Sequence, residues 1–566
     1  MTGESVEKDL VSAAPPEDAP PDGQPSRRPD CPVTPLGHRD GVFYVLSPSG
    51  QKRELPASQL RDGPIEALFE GHTAWLRSEC PQGENGWSWR SARSWLIGQC
   101  GKVGIFDPDT PVRGRGVWRD GAGALIVHCG GDIMVEGDWR KAGFVHDGAI
   151  YAAAARVARP ASSAAEAAVG QSLLRDIKRW RFKTPRGGDL VLGWIGAALY
   201  GGAPDWRPHM FTTGPTGCGK STLALLVQAA LGGQAHPSSN NVTEAGLRQF
   251  MTGDARAIVI DEAEHEAEGG RVMAVIELLR HMSGGIGATT RRGSAAGRAQ
   301  AYSVTGCAYL SSILHVPLSP QDRSRIACVR LDQLDFGPQM AEARSATQAR
   351  IKATAEASAA LRARAVRDWP RFNDLLGVYR KALLRASSDT RQADQLGTLL
   401  AGRDLLIRDD VPSDHDADEL VLDMQPLLSS MYQDDEEESE GLLCLNHLLT
   451  SPVDLWESGQ RRTVSRAILD EMDMVGARRL GAIGLRLAKD ANGVRWLLVA
   501  NKHVGLERIF RGTRWANGVW RQALGDYLPG ARSWGSTARF DGISVRATAI
   551  PESFIPSENK ESDGDL

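Results

Sequence analysis

Gly214-Pro-Thr-Gly-Cys-Gly-Lys-Ser221 is the stretch from which the rest of the chain is best read. Its residues fit the pattern G-x-x-x-x-G-K-[ST] in full. Glycines there let successive backbone N–H groups turn inward around a phosphate, where side chains would clash. The lysine suits the β- and γ-phosphates, and the serine hydroxyl suits Mg²⁺. An apolar run, His209 to Thr213, precedes the loop, and a helical run, Thr222 to Val227, follows it. That order is what the mechanism needs, because the helix must point its positive N-terminal end at the phosphates. Gly214, Pro215, Thr216, Gly217, Cys218, Gly219, Lys220, Ser221 and Thr222 are therefore expected to bind ATP.

A second element lies roughly 40 residues on, at Ala257-Ile-Val-Ile-Asp261-Glu262, where a hydrolytic site needs its acids. An apolar strand ends in two adjacent carboxylates. Asp261 would hold Mg²⁺ together with Ser221, and Glu262 would polarise the attacking water. The short interval suits the AAA+ and superfamily-three branch of phosphate-loop NTPases. Tyr309-Leu-Ser311-Ser312 ends another strand in small polar groups, and Ser312 would orient water near the γ-phosphate. Gln321-Asp-Arg323-Ser-Arg325 stands before the next strand, Ile326 to Leu331. AAA+ proteins place there an arginine that reaches a neighbouring subunit's ATP; the alternative for Arg323 and Arg325 is a surface salt bridge.

Two regions offer themselves to DNA. Ala288-Thr-Thr-Arg-Arg-Gly-Ser-Ala-Ala-Gly-Arg298 is glycine-rich and holds three arginines and no acid. Ring helicases of the superfamily-three type carry a pore hairpin at this point, so Arg291, Arg292 and Arg298 would grip phosphates. An ordinary surface loop is the alternative. Residues 501 to 556 hold eight basic side chains (Lys502, Arg508, Arg511, Arg514, Arg521, Arg532, Arg539, Arg546) against four acids, a balance of +4. A helix near Asn517 to Tyr527 precedes a hairpin from Ala531 to Ile550, turning at Asp541-Gly542. This reads as a winged-helix-like domain, serving either DNA or protein docking.

The whole chain of 566 residues is too long for one core. Lys and Arg total 66 against 70 for Asp and Glu, so contact with nucleic acid must come from local patches. The eight cysteines are scattered without a CxxC pair, which argues against a zinc ribbon and for a reducing cytoplasm. No apolar stretch is long enough to span a bilayer; Leu190 to Ala203 reads as a buried helix. The expected fold class is α/β, a P-loop NTPase (AAA+-like) core with accessory domains. The expected division is a disordered tail (1–32), a β-rich or mixed N-terminal domain (33–155) and a helical linker (156–206). The ATPase core (207–335), a helical region with an acidic linker (336–440), the winged-helix-like domain (441–556) and a second tail (557–566) follow. Phe106-Asp-Pro-Asp109 has the spacing of a metal site but sits among prolines and glycines, and reads as a turn.

Trp206-Arg-Pro-His209, the glycine-rich loop, Thr243-Glu-Ala-Gly-Leu-Arg-Gln249, Val259-Ile-Asp-Glu-Ala-Glu264 and Asp322-Arg-Ser-Arg325 together resemble the helicase part of bacteriophage, prophage and mobile-island primase-helicases. Arg113-Gly-Arg-Gly-Val-Trp-Arg-Asp120 and Ile126-Val-His-Cys-Gly130 extend the likeness. It implies a hexameric AAA+ ring that unwinds single-stranded or forked DNA during replication of a mobile element. The chain departs from fuller members in lacking a recognisable primase, so a separate primase or host replication protein is an expected partner. The alternative is an ATP-switched loader or regulator that does not unwind; a weaker one is an ATPase of packaging or defence.

Overall fold

The computed structural model describes residues 30–81, 86–237, 239–240, 242–261, 270–285, 288–293, 299–313, 318–334, 340–386, 389–426, 440–453, 462–473 and 479–555. The expected tails (apart from residues 30–32), the acidic run Asp434 to Glu440 (apart from Glu440, which opens a helix), Glu262 and Arg298 fall outside them. The chain forms two compact units that divide between residues 431 and 432. All eight cysteines are free thiols. Among the described residues, no helix is long and apolar enough to cross a membrane.

The first unit opens with a mixed α/β module. Strands Thr34–Arg39, Val42–Leu46 and Lys52–Pro56 form an antiparallel meander, against which the helix Trp89–Val103 packs. A four-stranded antiparallel sheet follows between Gly116 and Lys141. Phe106 to Asp109 is a turn, in which the Asp107 carboxylate accepts from the Asp109 N–H at 2.9 Å. Arg115 has a definite role: its backbone N–H and its guanidinium both donate to Asp254, at 2.7 and 2.9 Å. The ion pair anchors the module to the segment just before the Asp261 strand.

Two helices, α1 (Ala167–Ile177) and α2 (Gly187–Ala198), lead into the core. Every residue of α2 is buried, which explains the apolar run from Leu190. The core elements are β1 (His209–Thr213), α3 (Lys220–Leu231), β2 (Ser239–Asn240), α4 (Glu244–Met251), β3 (Ile258–Asp261), α5 (Gly270–Met282), β4 (Ala288–Gly293), β5 (Ala299–Val304), β6 (Ala308–Ser312) and β7 (Ile326–Arg330). The stretch from Tyr302 to Leu310, expected as one strand, belongs to two. Gly306, at φ 137, lies between them, and β5 pairs back on β4 while β6 enters the main sheet.

That sheet is wholly parallel, in the order β2-β3-β6-β1-β7. A strand, β6, therefore stands between the strand before the glycine-rich loop and the strand ending in Asp261. Phe211, Ile258, Ile260, Leu310 and Ile326 pack with α5 into a dry core. Three long helices follow: α6 (Met340–Arg367), α7 (Trp369–Ala386) and α8 (Thr390–Ile407). Helix α8 lies so close to α2 that a Cβ on Gly196 would stand 2.0 Å from the Gly402 carbonyl oxygen. Only glycine permits backbones to meet at that distance.

The second unit has its own core. Its sheet is antiparallel, with four strands in the order Leu485–Lys489, Arg495–Ala500, Ala547–Pro551, Arg532–Ser533. Helix Trp520–Asp526 precedes a hairpin in which Phe540 pairs with Ile543. Its two-residue turn has Asp541 at φ 42 and Gly542 at φ 87, the left-handed pair such a turn requires.

Candidate active site

The C-terminal ends of parallel strands are where an α/β sheet leaves room for a ligand. Here β1 ends in the loop, β3 in Asp261 and β6 in Ser312. Register sets them side by side: Thr213 is opposite Ser312, and Ile260 is opposite Leu310. The loop takes its shape from its glycines. Gly217 and Gly219 have φ of 83 and 85. A Cβ on Gly219 would lie 2.7 Å from the Trp180 indole nitrogen. That indole donates to the Gly219 carbonyl at 3.0 Å, pinning the loop where α3 begins. The Lys220 ammonium donates to the carbonyls of Gly214 (2.7 Å) and Pro215 (3.0 Å).

One cavity of about 900 Å³ joins these groups, a size common for small-molecule sites. Thr216, Gly217, Gly219, Lys220, Ser221, Thr222, Asp261 and Ser312 all line it. Ser221 and Asp261 thus offer a hydroxyl and a carboxylate to the same space, the oxygen donors a hard divalent cation takes. Gly214, Pro215 and Cys218 shape the loop without lining the cavity; Cys218 is buried. The Ser311 hydroxyl donates to Asp261. Sequence reasoning chose Ser312 from that pair; in the fold Ser312 lines the cavity and Ser311 holds the carboxylate.

The rest of the lining was missed from sequence. It carries Arg179 and Trp180, just beyond α1, and Arg344, Thr347 and Arg350 on α6. Arg350 pairs with Asp176 at 3.3 Å. These residues lie far from the loop in the chain, in helices without a motif, so no local signal marks them.

Arg323 and Arg325 lie elsewhere. Ile326 pairs with His209, at the start of β1, whereas the loop follows the end of that strand. Five residues of strand separate the two levels, roughly 16 Å at about 3.3 Å per residue. Neither arginine lines the cavity. The Arg323 guanidinium donates to the Leu318 carbonyl at 3.1 Å and that of Arg325 to the Gln321 carbonyl at 2.6 Å. The buried Asp322 between them pairs with Arg280 at 2.8 Å. Burial, with Arg391 and Arg280 nearby, holds the Arg325 pKa below its usual value.

Arg291 and Arg292 fall in a regular antiparallel hairpin, opposite Ala301 and Gln300. It leaves the core between α5 and β6.

Beneath the site, His209 is fully buried. Its Nδ1 accepts from the Ala308 N–H at 3.1 Å, so Nε2 carries the proton and donates to the Leu279 carbonyl at 2.8 Å. Burial, then the cations Arg207 and Arg325, lower its pKa to about 3. Burial, then Arg256 and Arg115, lower that of His236 to about 3 as well. Both rings are neutral in the folded chain and protonate on unfolding near pH 6.5. Stability is therefore complete above that pH and falls as pH drops from about 6.5 toward 3. Each ring contributes roughly a kcal/mol per pH unit in that window, and His236 the less of the two, because its Nε2 lies 3.8 Å from the Asp254 carboxylate, which favours the charged ring. Urea midpoints between pH 7.5 and 5 measure this; a constant midpoint would reject it.

No family model matches the chain, and no curated protein matches it. Among solved structures it is similar to one described as SCCmec type IV Cch, an active helicase. The TM-score is 0.50 at 10% identity, over 92% of this chain and 93% of that one. The apo structure of the NrS-1 C-terminal region aligns over 92% and 96% of the two chains at 12% identity, with a TM-score of only 0.33. The first likeness is one of fold.

Proposed function

We propose that the chain is an ATP-driven DNA helicase or translocase, built on an AAA+-type phosphate-loop core and acting in replication of a phage or mobile element. One observation carries this reading: the loop Gly214–Ser221, Asp261 and Ser312 meet around one cavity at the ends of three adjacent parallel strands. The intervening strand β6 supports a hydrolytic core, because it sets a polar side chain between loop and acid.

In this reading the loop amides and Lys220 bind the β- and γ-phosphates of ATP. Ser221 and Asp261 would hold Mg²⁺, which would neutralise phosphate charge. Ser311 orients the Asp261 carboxylate, and Ser312 positions water. Glu262, next in sequence, is assigned the proton of the attacking water. Arg323 and Arg325, a strand's length from their own loop, suit a neighbouring subunit's ATP in a ring, most simply a hexamer.

The hairpin favours a translocase over a loader, because a translocase needs a basic element to hold DNA and a loader does not. Arg291 and Arg292 are assigned that task, together with Arg298, which lies outside the described residues. A strand-displacement assay on forked DNA with ATP is the test. Replacing Arg291 and Arg292 with Ala is expected to weaken single-stranded DNA binding at least tenfold and to flatten its salt dependence by about two contacts. ATP binding should persist. Parent-like affinity and salt slope would remove the hairpin assignment, and ATPase without displacement by the parent protein would favour the loader.

A further inference from the structure

Trp206-Arg-Pro-His209 has no part in the proposed chemistry, yet it contains one of the most deeply buried charges in the core. The side chain of Arg207 is 1% exposed. It has no carboxylate within ion-pairing distance among the described residues. Its guanidinium instead donates to three carbonyls: Pro204 at 2.7 Å, Met282 at 2.8 Å and Gly285 at 2.7 Å. Met282 is the last residue of α5, whose end carries unpaired carbonyls and the negative pole of the helix. Gly285 has φ 61 and lies three residues before β4.

The backbone adds to this clamp. The Arg207 N–H donates to the Ser283 carbonyl at 2.7 Å, and Trp206 bridges antiparallel to Gly284. His209 holds the Leu279 carbonyl in the last turn of α5. Residues 206–209 thus fasten residues 279–285, which lead into the hairpin. Two residues beyond Arg207, β1 begins, and it ends in the glycine-rich loop. A turn alone needs no buried cation, and burying one is costly unless its donors are satisfied. What a planar guanidinium adds is a fork that reaches several carbonyls at once.

We infer that Arg207 is a positioning residue that fixes the base of the β4–β5 hairpin to the strand feeding the nucleotide site, so that DNA held by the hairpin and ATP turnover are coupled through it. The coupling rests on the hairpin reading above; the clamp itself does not.

The test uses the full chain with Arg207→Lys, which keeps the charge but loses the fork. Backbone hydrogen exchange is the first readout. Residues 288–293 and 299–304 should exchange at least tenfold faster, with 209–213 as protected as in the parent. The second readout is ATPase with and without single-stranded DNA. Basal turnover should stay within about twofold, whereas stimulation by DNA should fall at least fivefold. Unchanged exchange in the hairpin overturns the inference, whatever the parent's activity. Equal loosening of 209–213 with a matching fall in basal turnover also overturns it, because Arg207 would then only hold the core. If the lysine variant does not fold, Gly285→Ala perturbs the same clamp without touching the charge, and the same outcomes decide. A parent that lacks ATPase, with a hairpin that loosens in the variant, would sink the helicase reading and leave the clamp standing.

Discussion

Replacing Lys220 with Ala is expected to lower ATP turnover at least about a thousandfold, the scale for losing a cation aimed at developing phosphate charge. The ammonium lies inside the loop, donating to the Gly214 and Pro215 carbonyls, and it lines the cavity shared with Asp261 and Ser312. Among the described residues, no other lysine lines that cavity. Arg179, Arg344 and Arg350 also line the cavity, but they come from beyond α1 and from α6, and none takes the place of the ammonium held between the Gly214 and Pro215 carbonyls. The fold should survive, because the loop's shape comes from Gly217, Gly219 and the Trp180 indole, and not from an ion pair of Lys220. Malachite-green phosphate release, with circular dichroism as the control, measures the effect. Turnover within tenfold of the parent in a folded variant would reject the assignment of this loop to ATP.

The second large effect concerns assembly. Removing both Arg323 and Arg325 is expected to abolish turnover although neither lines the chain's own cavity. Mixing that double variant with Lys220→Ala subunits should restore part of it. The register of β7 on β1 puts Ile326 beside His209, about a strand's length from the loop, so these arginines do not reach their own site. In mixed rings some interfaces pair an intact loop with an intact arginine, and those should hydrolyse ATP. For random mixing at equal amounts, about a quarter of interfaces are competent, which sets the scale of recovery if interfaces act independently. Native mass measurement must first show that the two variants co-assemble. Co-assembled rings with no recovery, or a parent monomer at full rate on high dilution, would refute action in trans. The buried Asp322–Arg280 pair is left intact in this design, so a loss of turnover cannot be blamed on it.

Much of the core was legible because its signals are local. A phosphate loop needs glycines at fixed offsets, and Gly217 and Gly219 have the left-handed φ that those offsets anticipate. Apolar runs marked β1, β3 and β7 to within about a residue. Asp541-Gly542 marked its hairpin for the same reason, since few other pairs adopt two left-handed residues at low cost. The boundary between β5 and β6 was lost because both runs are apolar and only their partners differ.

What sequence alone determined, then, is the set of short patterns whose backbone chemistry admits few alternatives: the strand–loop–helix at Gly214–Ser221, the acidic strand end at Asp261, and the helical and β-rich stretches around them. Tertiary structure alone decided which distant groups share a space with them. It brought Arg344 and Arg350 from α6 to the same cavity, set Arg323 and Arg325 a strand's length away, paired Arg115 with Asp254, and gave Arg207 three carbonyls from two segments. The physical reason is the same throughout. A backbone pattern is written in neighbouring residues, whereas a side chain's partner is set by how sheets and helices pack, and that packing joins residues far apart in the chain, such as Arg115 and Asp254, 139 positions apart.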